Sequence, residues 1–321
     1  MKLGAFTALF ADQDLNTTLD ILQAIGFEAV EFYAGALAPP SHCDPDILLN
    51  SRTALDRFTD SLKKHDMTLS MLNVSGNPIN PDEATARRHH EAFEKGVRLA
   101  EKLGIDGLIV FSGCPGGSPG DRTPNWVTCP WPEEYPAILA YQWNDVLIPY
   151  WQKAARFAAD HGVIKLAFEM HPGFCVYNPE SLLKLRAAVG SAIGANFDPS
   201  HLIWQGVQPD KAIRALDQAI FHVHAKDTRV FEDHVAVNGV LDPKHYGQLS
   251  DRAWVFGTVG YGQPEPVWRR IIDALAIIGY NHVISIEHED ALMSKREGLE
   301  KAYHFLHRLM IAEKPGAMWW A

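Results

Sequence analysis

Apolar positions along this chain follow two alternating patterns. Short continuous apolar runs, the mark of buried strands, are separated by longer stretches in which apolar residues recur at helical spacing. The first run predicts a strand over residues 2–7, followed by a helix over about 15–25 that stops at Gly26. A second strand covers 28–33 and a helix 46–65; a third strand, MTLSMLNV, precedes a helix over about 81–103 that ends at Gly104. The fourth strand, GLIVFS, leads into a loop rich in Gly, Pro and Trp from Gly113 to about Pro136, and the next helix covers about 138–161. Four more strands follow, IKLAFEM, IGANFD, IFHVHAK and VISIEHE, with helices starting near Pro179, Pro209 and Gln263 and a last one over about 294–310. Eight strand–helix pairs predict an α/β fold, a closed (β/α)8 TIM barrel, rather than an open doubly wound sheet. No linker, repeat or compositional break divides residues 1–321, so one domain is expected.

Side-chain parity on the last four strands carries the chemistry. Successive side chains on a strand face opposite ways. Ala167, Glu169 and His171 share one face of the fifth strand, and Asn196 and Asp198 one face of the sixth. His222, His224 and Lys226 share a face of the seventh, and Ser285 and Glu287 of the eighth. The opposite faces are apolar and suit contact with helices. The polar faces therefore point into the barrel, and their C-terminal ends lie where barrel active sites are built. Clustered buried carboxylates are costly unless a cation or hydrogen-bond donors neutralise them. Glu169, Asp198, His224 and Glu287 supply three oxygens and one imidazole nitrogen, a set that suits Mn2+ best, with Mg2+, Co2+ and Zn2+ as alternatives.

Composition narrows the partners. Net charge is −10 with 29 basic residues, and no Lys/Arg cluster stands out, which argues against nucleic acid. The four cysteines show no CxxC spacing, so a reduced, cytoplasmic setting is expected. MKLGAFTALF reads as a first strand rather than a secretory leader, and no apolar run is long enough to span a membrane.

The combination of Glu169, the run Asp198-Pro-Ser-His201, the run from His222 to Asp227 and SIEHED (residues 285–290) resembles the sugar isomerase/epimerase superfamily with a xylose-isomerase-like TIM barrel. Ketose 3-epimerases, hydroxypyruvate isomerase and inosose dehydratase belong to it. The resemblance covers essentially the whole chain. It implies that Glu169, Asp198, His224 and Glu287 are metal ligands, that Glu169 and Glu287 form an acid/base pair, and that His201 contacts substrate. Arg229 lies close to a substrate-binding Arg of ketose epimerases at a slightly different offset. A second Glu that those epimerases carry a few residues beyond Glu169 is absent, and His171 stands nearby instead. The implied activity is isomerisation or epimerisation of a keto-sugar or related polyol. A lyase on the same scaffold is the alternative, acting on a keto-cyclitol or a 3-keto-glycoside. A DNA-repair endonuclease of the same superfamily conflicts with the acidic balance.

Further candidates follow from position. His171 and His201 are alternative proton acceptors, because imidazole titrates near neutrality, or else they orient ligands. Lys226 shares the inward parity and suits either an oxyanion or a pairing with Glu287 or Asp198. Glu31, Asn73 and Ser112 end the second to fourth strands and are placed to recognise hydroxyls. His222 reads as a deep hydrogen-bonded histidine, His288 as structural, and Glu289 and Asp290 as loop groups. GCPGGSPG resembles a phosphate cradle but lacks the Lys and Ser/Thr of a P-loop, so a turn is expected. Trp126, Trp131 and Trp254 fall in loops where they would stack on sugar or pack under a lid. The terminal Trp319 and Trp320 are expected to dock on the barrel or on a partner subunit, and a homodimer or homotetramer is anticipated.

Overall fold

The computed structural model describes residues 1–313 and 316–320. Seven strands precede an excursion from the barrel: β1 (Lys2–Phe6), β2 (Ala29–Tyr33), β3 (Thr68–Asn73), β4 (Gly107–Val110), β5 (Lys165–Glu169), β6 (Ile193–Phe197) and β7 (Ile220–Ala225). The excursion holds β8 (Asp227–Val230) and β9 (Trp254–Gly257), and the chain then returns as β10 (Val283–Ile286). β10 lies between β7 and β1 and closes an eight-stranded barrel in which every neighbour is parallel.

Local chemistry explains the element ends. Asp14 and Asp82 accept from the Thr17 and Thr85 amides and start the helices Leu15–Ile25 and Glu83–Leu103. Gly26 and Gly104 end them with φ of 113° and 70°, a conformation that disfavours a side chain. Two expected helices differ in detail. The one over 46–65 is two, Pro45–Asn50 and Arg52–Lys64, because Ser51 is extended and caps the second through the Ala54 amide. The one over 138–161 begins at Glu134 and passes through a π-turn at Gln142–Leu147. A short helix, Pro199–Ile203, was not anticipated; Asp198 caps it by accepting from the Ser200 amide.

The barrel interior has two levels. Met71, Ile109 and Ala167 form an apolar plug separate from the main core between sheet and helices. Beyond the plug, toward the C-terminal strand ends, the inward residues become polar: Glu31, Asn73, Glu169, Asn196, His222 and His224, all buried. The stability of the barrel thus comes from the outer apolar layer, which frees the upper interior for polar groups.

The excursion after β7 has no counterpart in the expected elements. β8 and β9 pair antiparallel, and Glu232–Asn238 forms a helix between them. Its ends are tied together by Asp227, which is fully buried. The Asp227 carboxylate accepts from the amides of Thr228, Gly260, Gly262 and Gln263 and from Trp268 Nε1, at 2.8–3.1 Å. The loop after β4 uses the same device: Asp121 accepts from the Gly117 and Ser118 amides, so the Gly-rich turn already encloses a carboxylate of its own.

The docking of the terminal tryptophans on this barrel is not met. Trp319 and Trp320 are 89% and 69% exposed, and Ala321 lies outside the described residues. Asp227→Asn turns an amide group toward a ring of N–H donors and leaves buried donors unpaired. It should lower unfolding stability by about 1–3 kcal/mol in urea titrations; an unchanged midpoint would contradict the anchoring role.

Candidate metal centre

Glu169 ends β5, Asp198 and Glu287 directly follow β6 and β10, and His224 lies in β7. The four side chains each present one atom, and these atoms lie within 4.8 Å of one another. Atoms bound about 2.0–2.6 Å from a common cation fall within such a span. Their side chains are 0–13% exposed.

The contacts among them are close but misdirected. His224 Nδ1 is 3.1 Å from Glu287 Oε2 and 3.5 Å from Glu169 Oε2, and Lys226 Nζ is 2.9 Å from Glu287 Oε2 and 3.2 Å from Asp198 Oδ2. Yet Asp198 Oδ2, His224 Nδ1 and Glu287 Oε2 are buried and make no hydrogen bond. Buried polar atoms are rarely left unpaired. Three such atoms facing one space are what a cation's donor set requires, so these residues fit a divalent ion.

A second group, Glu31, His222 and His224, is equally compact but chemically different. His224 Nε2 lies 3.0 and 2.9 Å from the two Glu31 oxygens, and Asn73 Nδ2 donates to Glu31 at 3.1 Å. His222 bonds Asn196 Oδ1 through Nδ1 at 2.9 Å and Ser70 Oγ through Nε2 at 3.3 Å. Their polar atoms are satisfied, so this group supports the first rather than forming a second site. Glu31 accepts the Nε2 proton of His224, which turns Nδ1 toward the first cluster, an arrangement that would suit a carboxylate–histidine pair beside a metal.

The other expected site residues fall into place around this centre. His201 Nε2 is 3.0 Å from Glu169 Oε1 and 3.3 Å from Asp198 Oδ2, and Asn196 Nδ2 donates to Glu169 at 3.3 Å. The His171 ring lies 4.1 Å from that of His201, and its Nδ1 donates to the Pro172 carbonyl at 2.6 Å. Lys226 also reaches Glu289, which ties that loop group to the centre.

The remaining candidates have contacts of their own. Glu31 bonds His224, and Asn73 bonds Glu31, in the layer below the cluster. Ser112 is buried, donates to the Gly113 carbonyl and accepts from the Val176 amide, which fixes its loop. The structure does not bring Arg229 into the cluster; its guanidinium donates to the Tyr261 carbonyl at 2.8 Å. His288 packs where Gly298 leaves room for its ring. Trp254 is buried and stacks on Trp204 at 4.6 Å, Trp126 packs edge-on against Tyr177, and Trp131 is exposed.

A cavity of about 520 Å3 opens beside the centre. His171 and Glu289 line its inner side, and Tyr246, Leu249, Val255, Phe256 and Met293 line the rest. Tyr246 and Phe256 are missing from the residues picked out by sequence, because 241–253 shows neither strand nor helix periodicity and β9, which holds Phe256, is only four residues long.

Burial and charge set the protonation of the centre. Burial and the neighbouring charge of Glu287 push Glu169 up to about 8, and burial also raises Asp198. Burial alone would raise Glu287, but the charges of Lys226 and His224 outweigh it and hold Glu287 below the ordinary range. Burial alone would lower His224 and Lys226, yet the surrounding carboxylates keep both well above their usual values. Burial lowers His171 to about 4 and holds His201 well below the imidazole norm.

Comparison with known proteins places the chain in a family. A family model described as a xylose isomerase-like TIM barrel matches residues 19–309. The chain belongs to that family. A family relative, the uncharacterized protein YfiH of Bacillus subtilis (strain 168), is 39% identical over 308 residues, which is 95% of this chain and 98% of YfiH. Solved structures share the fold at lower identity. The probable 3-DHS dehydratase AsbF of Bacillus anthracis has a TM-score of 0.67 at 18% identity, covering 96% of this chain and 99% of that one. The IOLI protein, crystallised with a zinc atom, has 0.65 at 19%, covering 96% and 98%. D-allulose 3-epimerase from Methylomonas sp. has 0.63 at 15%, covering 97% and 98%. No helix among the described residues is long and apolar enough to cross a membrane.

A divalent cation held by these four residues would compete with protons for the same atoms. Glu169's value of about 8 in the fold lies above its ordinary 4.5. The folded state therefore holds the extra proton, and this group's contribution to stability falls as pH rises across that interval. A bound cation replaces the proton and removes the loss. The gain in melting temperature on adding MnCl2 should therefore grow from about pH 5.5 to about pH 8; a gain that is constant or shrinks over that range would contradict the ligand assignment.

Proposed function

We propose that this protein is a divalent-metal-dependent isomerase or epimerase that removes a proton next to the carbonyl of a keto-sugar or related polyol. The observation that carries this reading is the convergence of Asp198 Oδ2, His224 Nδ1 and Glu287 Oε2, buried and unpaired, with Glu169 beside them. A divalent ion held by Glu169, Asp198, His224 and Glu287 would supply Lewis acidity to a carbonyl and an adjacent hydroxyl.

The remaining work falls to side chains. Glu169 and Glu287 flank the space and are the pair that takes and returns the proton. His201 holds Glu169 in orientation through Oε1, and Asn196 does so through Oε2. His171 keeps a proton on Nδ1, which leaves Nε2 as a further acceptor on the cavity wall. As the C–H bond breaks, its electron pair shifts toward the carbonyl oxygen, and the Lys226 ammonium is placed to stabilise the developing charge. Return of the proton to the opposite face gives an epimer. Return to the adjoining carbon, with the hydroxyl proton moving to the oxygen next door, gives an isomer.

One observation favours a second reading, a lyase. The cavity beside the centre offers more room than a free monosaccharide needs, and a substituent β to the carbonyl is expelled readily once the α-proton has gone. The fold's solved neighbours include both a 3-epimerase and a probable dehydratase.

Manganese-loaded protein should incorporate solvent deuterium next to the carbonyl of ketohexoses or 3-keto-glucose in D2O, followed by NMR. Glu169→Gln should slow this by about 100-fold or more. Loss of water or of a substituent along with the exchange selects the lyase. No exchange with any of these sugars, whichever of Mn2+, Mg2+, Co2+ or Zn2+ is supplied, would overturn the proposal.

A further inference from the structure

We infer that the cavity beside the metal centre is an aromatic subsite, and that the substrate is a keto-sugar carrying an aromatic substituent. This rests on the reaction proposed above. Three features of the wall support it.

The cavity adjoins the centre through shared neighbours. Phe256 lies 4.8 Å from Lys226 Nζ and 5.3 Å from the His201 ring, so one aromatic residue borders both spaces. His171 and Glu289 do the same on the inner side. At about 520 Å3 the volume is that of a site enclosing a ligand of drug-like size.

The outer wall is largely apolar, with His288 and Lys295 as further polar residues at its border. Leu249, Val255 and Met293 offer no hydrogen-bonding side chain, whereas a sugar ring presents a donor or acceptor at nearly every carbon. Asp290 borders the cavity too, but its oxygens are taken by Thr258 and the Leu292 amide.

The aromatic faces are held rigidly. Tyr246 stacks on Phe256 at 5.7 Å with 23° between planes, and the buried Arg252 guanidinium covers both Tyr246, at 4.5 Å, and Trp254, at 4.7 Å. Arg252 is itself fixed by the carbonyls of Trp254 and Lys244. Tyr246 nevertheless remains 51% exposed. An ordered, half-open aromatic face gains more from a flat ring than from a polar one. The whole wall belongs to the excursion after β7 and the segment after β10, so it determines specificity without altering the metal ligands.

Binding of unreactive glycosides tests this without catalysis. Calorimetry with the manganese-loaded protein should compare phenyl and methyl D-glucopyranosides of both anomers, which carry no carbonyl. The phenyl compound of at least one anomer should bind about tenfold tighter than its methyl partner. That ratio should fall toward unity in Tyr246→Ala and, as a check on any folding defect, in Leu249→Asp. Equal affinities, no binding of either glycoside, or a ratio preserved in both variants would overturn the subsite. A phenyl preference without deuterium exchange on any keto-sugar would remove the proposed reaction and leave the subsite standing; exchange without the preference would do the reverse.

Discussion

The structure is organised around the cost of burying like charges together. Glu169, Asp198 and Glu287 meet in a space almost closed to water, with Glu31 one layer below. At low dielectric such a grouping is tolerable only beside compensating cations. The protein supplies two, Lys226 and the raised imidazole of His224, both on the seventh barrel strand or its end. Their positions fix what else the site can accept. A divalent ion held among the carboxylates would compete with protons for the same atoms.

Precision comes from the layer below the ligands. Glu31 sits on the second strand, yet it determines which nitrogen of His224 is free, and Asn73 on the third strand holds Glu31. Asn196 links Glu169 to His222, and His222 reaches back to Ser70. A barrel makes this network natural because inward side chains from non-adjacent strands meet at its axis. The candidate ligands come from one half of the barrel and their hydrogen-bond partners from both halves.

Much of this was legible in the sequence because buried parallel strands leave a strong signal. Four apolar runs ending in Glu169, Asp198, Lys226 and Glu287 fixed both the strands and the face that points inward. The role of Glu31 was not legible, since its partner lies 193 residues away and strand parity says only that it faces inward. The excursion after β7 was missed for a different reason. β8 and β9 have only four residues each, so their antiparallel pairing produces no long apolar run. Tyr246 and Phe256 therefore had no assigned element, while Trp254, chosen for its size, is spent on packing. Ser51 split an expected helix because capping by one hydroxyl outweighs a continuous periodic pattern.

Anomalous diffraction at the manganese edge from crystals grown with MnCl2 tests the central claim most directly. The account predicts one strong peak about 2.0–2.6 Å from His224 Nδ1 and from carboxylate oxygens of Glu169, Asp198 and Glu287, with Lys226 moved away from it. No peak in that space, or a peak seated between Glu31 and His222 instead, would contradict it.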